Sequence, residues 1–254
     1  MKVISLFSGS GGNCTLIEAG TFRFLIDAGG SAKAIEDALY GVGVSLDGIH
    51  AVFVTHEHAD HTHSLAVLAK KYRIPIHMIR ASAEILAPSP DSPLASCLVL
   101  HEEEYCLSFD CVSVEAFAVP HDSVACVGYR VSCGSEAVGI VTDLGYVTQR
   151  VYDRLCGCQA VMLEANHDRD MVRSSHYPPY LKSRILSRGG HLSNEDCAEI
   201  AGALARRGMK RLLLAHLSRD NNTPGAALAA VRHEVEPYGV TVMVSRPDAP
   251  TVLL

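Results

Sequence analysis

The sequence predicts a four-layer αββα sandwich, an α/β (α+β) fold in which two sheets lie face to face between outer helices. Two observations support this prediction. Strand patterns open each half of the chain and helix patterns follow them, which is typical of sheets covered by helices. The first three strand patterns, at 3–7, 14–18 and 22–26, are joined by short connections that favour an antiparallel meander. The length of 254 residues is sufficient for a large core, and we expect a single domain over 1–254.

The first half of the chain continues with alternating elements. Ser31 is a suitable cap for a helix that runs to about Tyr40, and apolar residues at helical spacing predict helices at 64–72 and 81–86. Runs of β-branched and apolar residues predict strands at 49–55, 74–78, 98–101, 104–109, 111–119 and 124–131.

The second half has the same alternation. Strands are predicted at 136–142, 160–163, 212–215 and 240–244, and helices at 147–155 and 224–235. Two helices are expected between 169 and 188, separated near Pro178 and Pro179, because proline cannot continue a helix. Ser193, with Asp196 three residues later, predicts the start of a further helix that ends near Arg206.

The composition and net charge argue against a protein with a uniformly basic surface and against a membrane protein. A net charge of −6 provides no global basic field for nucleic acid, although a local basic groove stays possible. No run approaches the roughly 18 apolar residues of a membrane helix, and the N-terminus leads into a strand without a signal-peptide pattern. We therefore expect no membrane partner and a cytoplasmic location. Nine cysteines without a C-x-x-C pair indicate reduced thiols, most of them buried.

The loop at 8–13, Ser-Gly-Ser-Gly-Gly-Asn, superficially suggests a phosphate-binding loop. It lacks the lysine and the following helix of a P-loop, because a strand pattern resumes at Cys14. The sequence therefore predicts a tight loop between two strands.

Four metal-capable side chains, His56, His58, Asp60 and His61, directly follow the strand pattern at 49–55. In an extended segment, residues two apart project to the same side, so His56 and His58 can bind one ion together. Asp60 and His61 follow where the chain turns away and can face a second ion. A surface loop that happens to be rich in histidine is the alternative, but four spaced ligands after a buried-type strand favour a metal site.

Three single residues, each at the end of a strand pattern, are candidates to complete this site. His121 ends an apolar strand, Asp143 follows Gly139-Ile-Val-Thr142, and His216 follows Leu212-Leu-Leu-Ala215. A lone histidine after a strand is usually a hydrogen-bonded loop residue. One loop cannot fill two coordination spheres, however, so further ligands are expected from the ends of other strands.

The pattern H-x-H-x-D-H and the order of the later residues resemble the metallo-β-lactamase-fold hydrolases over essentially the whole chain. The resemblance implies two divalent metal ions as cofactors, with His56, His58 and His121 on the first. It places Asp60, His61 and His216 on the second ion and makes Asp143 the bridge. Two such ions, about 3.5–4 Å apart, lower the pKa of a shared water and stabilise the negative charge of the transition state. Imidazoles and carboxylates bind either Zn²⁺ or Mn²⁺, so the ligand types do not distinguish between these two metals.

Four further segments narrow the resemblance to the YycJ/WalJ/VicX branch of these hydrolases. They are Ser8 to Cys14, Leu163 to Asp168, Gly190 to Asn194 and Leu214 to Pro224. The branch implies a phosphodiester-hydrolysing nuclease that degrades DNA from a 5′ end, so that nucleic acid is the expected partner.

Catalytic roles are predicted for Asp60, Glu164 and His191. Glu164 and His191 resemble the carboxylate–histidine pair that related tRNA-processing endonucleases use near the leaving group. A histidine whose protonation a glutamate supports can donate a proton to a departing oxyanion. A structural hydrogen bond that ties two loops together is the alternative for this pair.

Other functions and roles stay open at this point. A small-molecule phosphodiesterase, a thioester hydrolase of the glyoxalase II type and a non-catalytic, metal-stabilised nucleic-acid-binding module share the same ligand set. Asp27 either orients a ligand histidine or makes a turn. His167, Asp168, Asn221 and Asn222 either contact substrate or stabilise local structure. The basic residues between 169 and 211 form either one face or scattered solvated charges, and the oligomeric state is not indicated.

Overall fold

Two mixed sheets pack face to face in the computed structural model, which describes residues 1–87, 89–102 and 104–254. In the first sheet the strand order is β14-β1-β2-β3-β4-β5-β6. The first three strands form the predicted antiparallel meander, and β3 to β6 are parallel. The bounds are β1 (Lys2–Phe7), β2 (Cys14–Ala19), β3 (Phe22–Ile26), β4 (Ala51–Phe53), β5 (Ile76–Ile79), β6 (Leu98–His101) and β14 (Thr251–Val252).

The second sheet has the order β13-β12-β11-β10-β9-β8-β7. Strands β7 to β10 are antiparallel to their neighbours, whereas β10 to β13 are parallel. The bounds are β7 (Cys106–Phe109), β8 (Val112–Ala118), β9 (Val127–Cys133), β10 (Glu136–Val141), β11 (Ala160–Glu164), β12 (Arg211–Ala215) and β13 (Thr241–Val244).

Helices cover the outer face of each sheet. Buried residues of α1, α3 and α4 pack on the first sheet, and those of α5, α8 and α9 pack on the second. A third buried cluster, which includes Phe24, Phe53 and Tyr129, lies between the sheets. The helices are α1 (Ala32–Gly41), α2 (Ala59–Thr62), α3 (Leu65–Tyr72), α4 (Arg80–Leu86), α5 (Gln149–Leu155), α6 (Arg169–Ser174), α7 (Pro179–Ile185), α8 (Asn194–Arg206) and α9 (Pro224–Val235). The predicted αββα layering is confirmed.

Local signals explain where several helices begin. The side chain of Ser31 accepts a hydrogen bond from the Ala34 amide at the start of α1, and Ser193 accepts one from Asp196 at the start of α8. Helix α7 begins at Pro179, because a proline at the first helical position sacrifices no intrahelical bond. None of the helices in the described ranges combines the length and apolarity needed to span a membrane.

The structure differs from the predicted elements mainly around the histidine-rich segment. The strand predicted at 49–55 is only Ala51–Phe53, because the Thr55 amide donates to the Asp27 carboxylate rather than to a neighbouring strand. The loop after it contains the short helix α2, which was not predicted. Strand β14 was also not predicted, since two residues are too few for an alternating pattern.

Candidate metal centre

The carboxyl ends of six strands meet at one edge of the sandwich. Strands β8 and β10 are both antiparallel to β9, so they run in the same direction as β11 and β12. Their ends deliver His121, Asp143, Glu164 and His216. The parallel strands β3 and β4 of the other sheet deliver Asp27 and His56. All of the predicted ligand residues therefore converge on one crevice, where open α/β sheets bind ligands.

Three residues at these strand ends have a left-handed backbone. The φ angles are 61° at Asp27, 57° at Asp143 and 54° at His216. A residue with a Cβ atom loses roughly 1–2 kcal/mol in this region, and Asp and His are among the residue types that tolerate it best. The sharp bend turns each chain at the crevice immediately after the strand ends, and such strain is typical of functional sites.

The loop with His58, Asp60 and His61 is fixed by its backbone. The carbonyl of Asp60 accepts from the Asn13 amide at 2.8 Å, and the carbonyl of His61 accepts from the Ala28 amide at 2.8 Å. Gly29 permits this close packing, since a Cβ atom there would lie 1.5 Å from the Asp60 carbonyl oxygen.

Four imidazoles are oriented through their Nδ1 atoms. The Nδ1 of His61 lies 2.8 Å from Asp27 Oδ2, and that of His216 lies 2.7 Å from Glu164 Oε1. The Nδ1 of His121 faces the Gly190 carbonyl at 3.1 Å. That of His56 lies 3.0 Å from the hydroxyl of Thr55, which itself donates to Asp27. Each partner accepts a hydrogen bond, so each Nδ1 carries a hydrogen, and each Nε2 has a free lone pair whenever its ring is neutral.

The free atoms of these side chains face one another without partners. The Nε2 atoms of His56, His121 and His216 and the Oδ2 atom of Asp143 are buried and form no hydrogen bond among the described residues. Buried polar atoms are normally satisfied, and an exception requires an explanation. The Nε2 lone pairs converge, and the Nδ1 atoms of the same rings are held by carboxylates, a hydroxyl and a carbonyl. This arrangement fits a metal site with its supporting hydrogen bonds.

The candidate ligand atoms fall into groups that could each hold a metal ion. Atoms of His56, His58 and His121 lie within 4.8 Å of one another, and the same holds for Asp60, His61 and His216. Asp143 belongs to a group with His56 and His61 and to another with His216, so it adjoins members of both groups. Its Oδ2 lies 3.2 Å from His61 Nε2 without hydrogen-bond geometry, and its Oδ1 lies 3.3 Å from His216 Nδ1.

The electrostatic field of this cluster attracts cations. Burial alone would raise the pKa of Asp143, but His216 and His61 hold it well below its usual value. Burial likewise opposes a charged His216, but Asp143, Asp60 and Glu164 outweigh it and raise its pKa to about 10. Burial lowers the pKa of His56, with the charge of His61 acting in the same direction. Ionised carboxylates therefore concentrate negative charge where the imidazoles meet, and protons and metal ions compete for the same nitrogens.

Glu164 and His191 lie beside this cluster. Glu164 is fully buried, and its Oε1 lies 2.8 Å from His191 Nδ1 and 2.7 Å from His216 Nδ1. Its Oε2 accepts from the amides of Leu144 and Leu192, both at 3.0 Å. The side chain of His191 remains 24% exposed and lines a cavity of about 200 Å³. Burial opposes protonation of His191, but Glu164 outweighs it and raises its pKa.

Several residues of open role have clear structural contacts. Asp27 accepts from Thr55 and faces His61, as predicted for an orienting residue. Asp168 caps α6, and Asn222 binds the carbonyls of Ala165 and Asn166, so both stabilise local structure. Three of the nine basic residues between 169 and 211 are neutralised by ion pairs: Arg169, Arg173 and Arg184 pair with Asp196, Asp170 and Asp122.

Two residues at the centre were not singled out from the sequence. The side-chain nitrogen Nδ2 of Asn13 lies 3.3 Å from Asp60 Oδ2 and 3.0 Å from His61 Nε2. The Thr55 hydroxyl donates to Asp27 and lies 3.0 Å from Nδ1 of His56. The sequence feature that could have identified Asn13 is its position at the end of the glycine-rich loop at 8–13.

Comparison with known proteins agrees with this geometry. A family profile described as "Beta-lactamase superfamily domain" matches residues 22–217. The chain belongs to the β-lactamase superfamily. Two relatives in this superfamily cover most of the chain. Exodeoxyribonuclease WalJ of Streptococcus pneumoniae is 35% identical over 223 residues, which span 87% of this chain and 83% of the relative. Exodeoxyribonuclease YycJ of Bacillus anthracis is 32% identical over 237 residues, which span 93% and 90%. The resemblance to the YycJ/WalJ/VicX branch is thereby confirmed.

A solved structure in the superfamily shows the same fold. The metallo-β-lactamase fold protein YhfI from Bacillus subtilis superposes with a TM-score of 0.75 at 18% identity, covering 99% of this chain and 98% of YhfI. The predicted metallo-β-lactamase fold is confirmed.

Proposed function

We propose that this protein is a dinuclear-metal phosphodiester hydrolase that degrades DNA from the 5′ end. The observation that carries the proposal is that the Nε2 atoms of His56, His121 and His216 and Asp143 Oδ2 are buried and unpartnered within the ligand cluster, while the Nδ1 atoms of the same three histidines have partners. The two relatives named as exodeoxyribonucleases support DNA as the substrate.

The donor set fits two divalent cations. We assign His56, His58 and His121 to one ion, Asp60, His61 and His216 to the other, and Asp143 to both, in agreement with the groups of adjacent ligand atoms. Nitrogen and oxygen donors without a thiolate suit Zn²⁺ or Mn²⁺. When bound, such ions supply a Lewis acid and a nucleophile that is ionised near neutral pH.

The protein side chains orient the reacting groups. Asp60, whose side chain is 26% exposed, is placed beside the Nε2 atoms of His61 and His216 and can orient the attacking nucleophile by accepting its hydrogen bond. His191 reaches the crevice with its Nδ1 held by Glu164, so its Nε2 is the atom that donates a proton to the departing oxygen.

Glu164 contacts His191, as in the predicted carboxylate–histidine pair, and it also contacts His216. Its carboxylate is fully buried and accepts four hydrogen bonds, two from histidines and two from backbone amides. It therefore does not reach a substrate. We propose that it is a positioning residue that holds both His191 and His216 and supports the protonated form of His191.

The experiment that tests this function is digestion of single-stranded DNA labelled at the 5′ or the 3′ end by protein reconstituted with Zn²⁺ or Mn²⁺. We expect the label at the 5′ end to be released first as a mononucleotide or short product. Bis-p-nitrophenyl phosphate and a glutathione thioester are assayed in parallel. Turnover of the thioester alone would contradict the proposal, and so would tight DNA binding without turnover under either metal.

A further inference from the structure

Two cavities adjoin at the candidate centre. The first, the His191 cavity, has a volume of about 200 Å³ and is lined by His191, Tyr177, Ser10 and Ser218 among others. The second, the Arg219 cavity, has a volume of about 330 Å³ and is lined by residues 8–12 together with Ser218 and Arg219. Ser10 and Ser218 line both cavities, so the two adjoin at these residues, and we call them together the channel.

The walls of the Arg219 cavity are bonded to the residues of the candidate metal centre. The Ser8 hydroxyl accepts from the His216 amide at 3.0 Å and donates to Asn13 Oδ1 at 3.0 Å. On the opposite wall, the Ser218 amide donates to the Asn166 carbonyl at 2.7 Å, and the Asn166 side chain donates to the His216 carbonyl. A ligand in this cavity is therefore held at a fixed position relative to the reacting centre.

The donors of the Arg219 cavity suit an anion. In the glycine-rich loop, Gly9 and Gly12 have φ angles of 144° and 148°, which turn the exposed tip at Ser10 and Gly11 outward. Among the described residues, the amides of Ser10 and Gly11 have no backbone acceptor. A guanidinium nitrogen of Arg219 lies 3.8 Å from the position that a Cβ atom of Gly11 would occupy, so the cation lies beside the tip of this loop. Backbone amides, hydroxyls and a guanidinium are the groups that bind phosphate.

Arg219 has no carboxylate partner among the described residues, and neither has Arg188, which instead lies over the Tyr146 ring. Arg169, Arg173 and Arg184, in contrast, each form an ion pair. Arg219 is therefore an exposed, unneutralised cation at the cavity wall, in a chain with a net charge of −6. The loop still lacks the lysine and the helix of a P-loop, and the cation instead comes from the segment after β12.

We propose that the Arg219 cavity binds a backbone phosphate that adjoins the scissile one, so that the substrate strand follows the channel from His191 past Ser10 and Ser218 to Arg219. This inference rests on the proposed function and specifies how its substrate is bound. The amides of Ser10 and Gly11 and the guanidinium of Arg219 would hold the phosphate. A small diester such as bis-p-nitrophenyl phosphate has no second phosphate to place there, so it cannot use this subsite.

The test compares Arg219→Ala and Arg219→Glu with the wild type on a single-stranded oligonucleotide and on bis-p-nitrophenyl phosphate. We expect KM for the oligonucleotide to rise about tenfold in Arg219→Ala, the size of one charge-assisted hydrogen bond, and further in Arg219→Glu. The loss of kcat/KM should be about ten times larger on the oligonucleotide than on the small diester, and the salt dependence of KM should weaken by about one phosphate contact. Arg232→Ala is the matched control, because Arg232 is exposed and lies roughly 12 Å along α9 from Pro224 at the cavity wall.

Failure of the phosphate subsite and failure of the proposed function give different results in this test. An unchanged KM in Arg219→Glu, or equal losses on both substrates, would overturn the subsite. If the wild type degraded no DNA, the proposed function would fail, and the subsite would be tested by fluorescence anisotropy with a labelled, phosphorothioate-linked oligonucleotide of about twelve nucleotides. Equal affinities of wild type and Arg219→Glu would then refute it, and a loss of about tenfold or more would support it.

Discussion

Asp143 combines three properties, which it shares with His216. It is 2% exposed, its backbone is left-handed, and its carboxylate belongs to ligand groups on both sides of the cluster. A side chain that only stabilised a turn would not require burial among imidazoles. Asp143 is therefore the residue whose loss should separate chemistry from folding most clearly.

We predict that Asp143→Ala lowers kcat by about 10³-fold or more and reduces the number of bound metal ions, while the circular dichroism spectrum stays native. Asp143→Asn keeps the side-chain shape and tolerates the left-handed backbone, so its loss of activity should be as large. The measurements are hydrolysis of bis-p-nitrophenyl phosphate and metal content by mass spectrometry.

Asp110 provides the control for the backbone effect. It has a φ of 54°, similar to that of Asp143, but it is exposed in the turn between β7 and β8. Asp110→Ala should cost about 1–2 kcal/mol of stability at most and leave turnover and metal content unchanged. Full activity of Asp143→Ala would refute the assignment of this residue to the ions.

His191 permits a test of the leaving-group role. We predict that His191→Ala slows DNA hydrolysis by about 10²–10³-fold but slows bis-p-nitrophenyl phosphate by less than about fivefold. The reason is that an alkoxide needs a proton on departure, whereas nitrophenolate leaves without one. The ratio of kcat values on the two substrates is the readout.

Glu164→Gln distinguishes the positioning role from the catalytic one. Because Glu164 holds His216 as well as His191, this variant should lose metal affinity by about 10–100-fold and slow both substrates together. Equal losses on both substrates in His191→Ala would indicate that His191 only ties two loops together.

At the scale of single residues, the sequence predicted those site residues whose position can be recognised from a short stretch of the chain. His56, His58, Asp60 and His61 follow one another after a strand, and His121, Asp143 and His216 each end a strand pattern. Thr55, Asn13 and Arg219 could not be predicted in the same way. Their roles depend on which loops meet, and loop contacts between distant parts of the chain leave no periodic trace in the sequence.

The elements around the site are positioned by close backbone contacts rather than by long helices. Helix α2 has only four residues, and the segment around it is bonded to the loops at 9–13 and 27–30. Gly29 is the point of closest approach, since a Cβ atom would also lie 2.7 Å from the Asn13 amide nitrogen. Backbone atoms on both sides leave no flexible group that could move aside.

We predict that Gly29→Ala displaces the α2 loop, lowers the free energy of unfolding by about 1–3 kcal/mol and weakens binding of the ion assigned to Asp60 and His61. Thermal unfolding and metal stoichiometry measure the two effects. Gly41→Ala is the control, because its Cβ atom would meet nothing within 4 Å at the end of α1, and it should be neutral or slightly stabilising. Normal metal content in Gly29→Ala would contradict the idea that this contact sets the ligand geometry.

Element prediction succeeded where a periodic pattern extended over several residues. The bounds of β6 and α9 agree with the predicted 98–101 and 224–235. The shortening of β4 and the appearance of α2 could not be predicted, because a side chain from another strand, Asp27, captures the Thr55 amide. Tertiary hydrogen bonds overrode local propensity at the functional loop, where such conflicts are expected.

At the scale of the whole molecule, the candidate centre is the junction between the two halves of the sandwich. Residues from β3 and β4 of one sheet and from β8, β10, β11 and β12 of the other meet there. Glu57 adds a second connection, since its carboxylate accepts from the Ser82 hydroxyl and from the Val124 amide. The proposed ions would link the two sheets at this junction, and their binding free energy would then contribute to the stability of the entire fold.

We predict that removal of the two metal ions with a strong chelator lowers the melting temperature by about 10–20 °C. Saturation at about 100 times the dissociation constant stabilises the folded state by about 2.7 kcal/mol for each ion, and for a chain of this size about 1 kcal/mol shifts the midpoint by about 2–4 °C. Addition of two equivalents of Zn²⁺ or Mn²⁺ should restore the midpoint, as measured by calorimetry alongside metal analysis. In Asp143→Asn the same titration should recover only part of the shift, because the carboxylate assigned to both ions is lost. A midpoint that does not respond to chelation, or that saturates at one ion per chain, would contradict a dinuclear centre between the sheets.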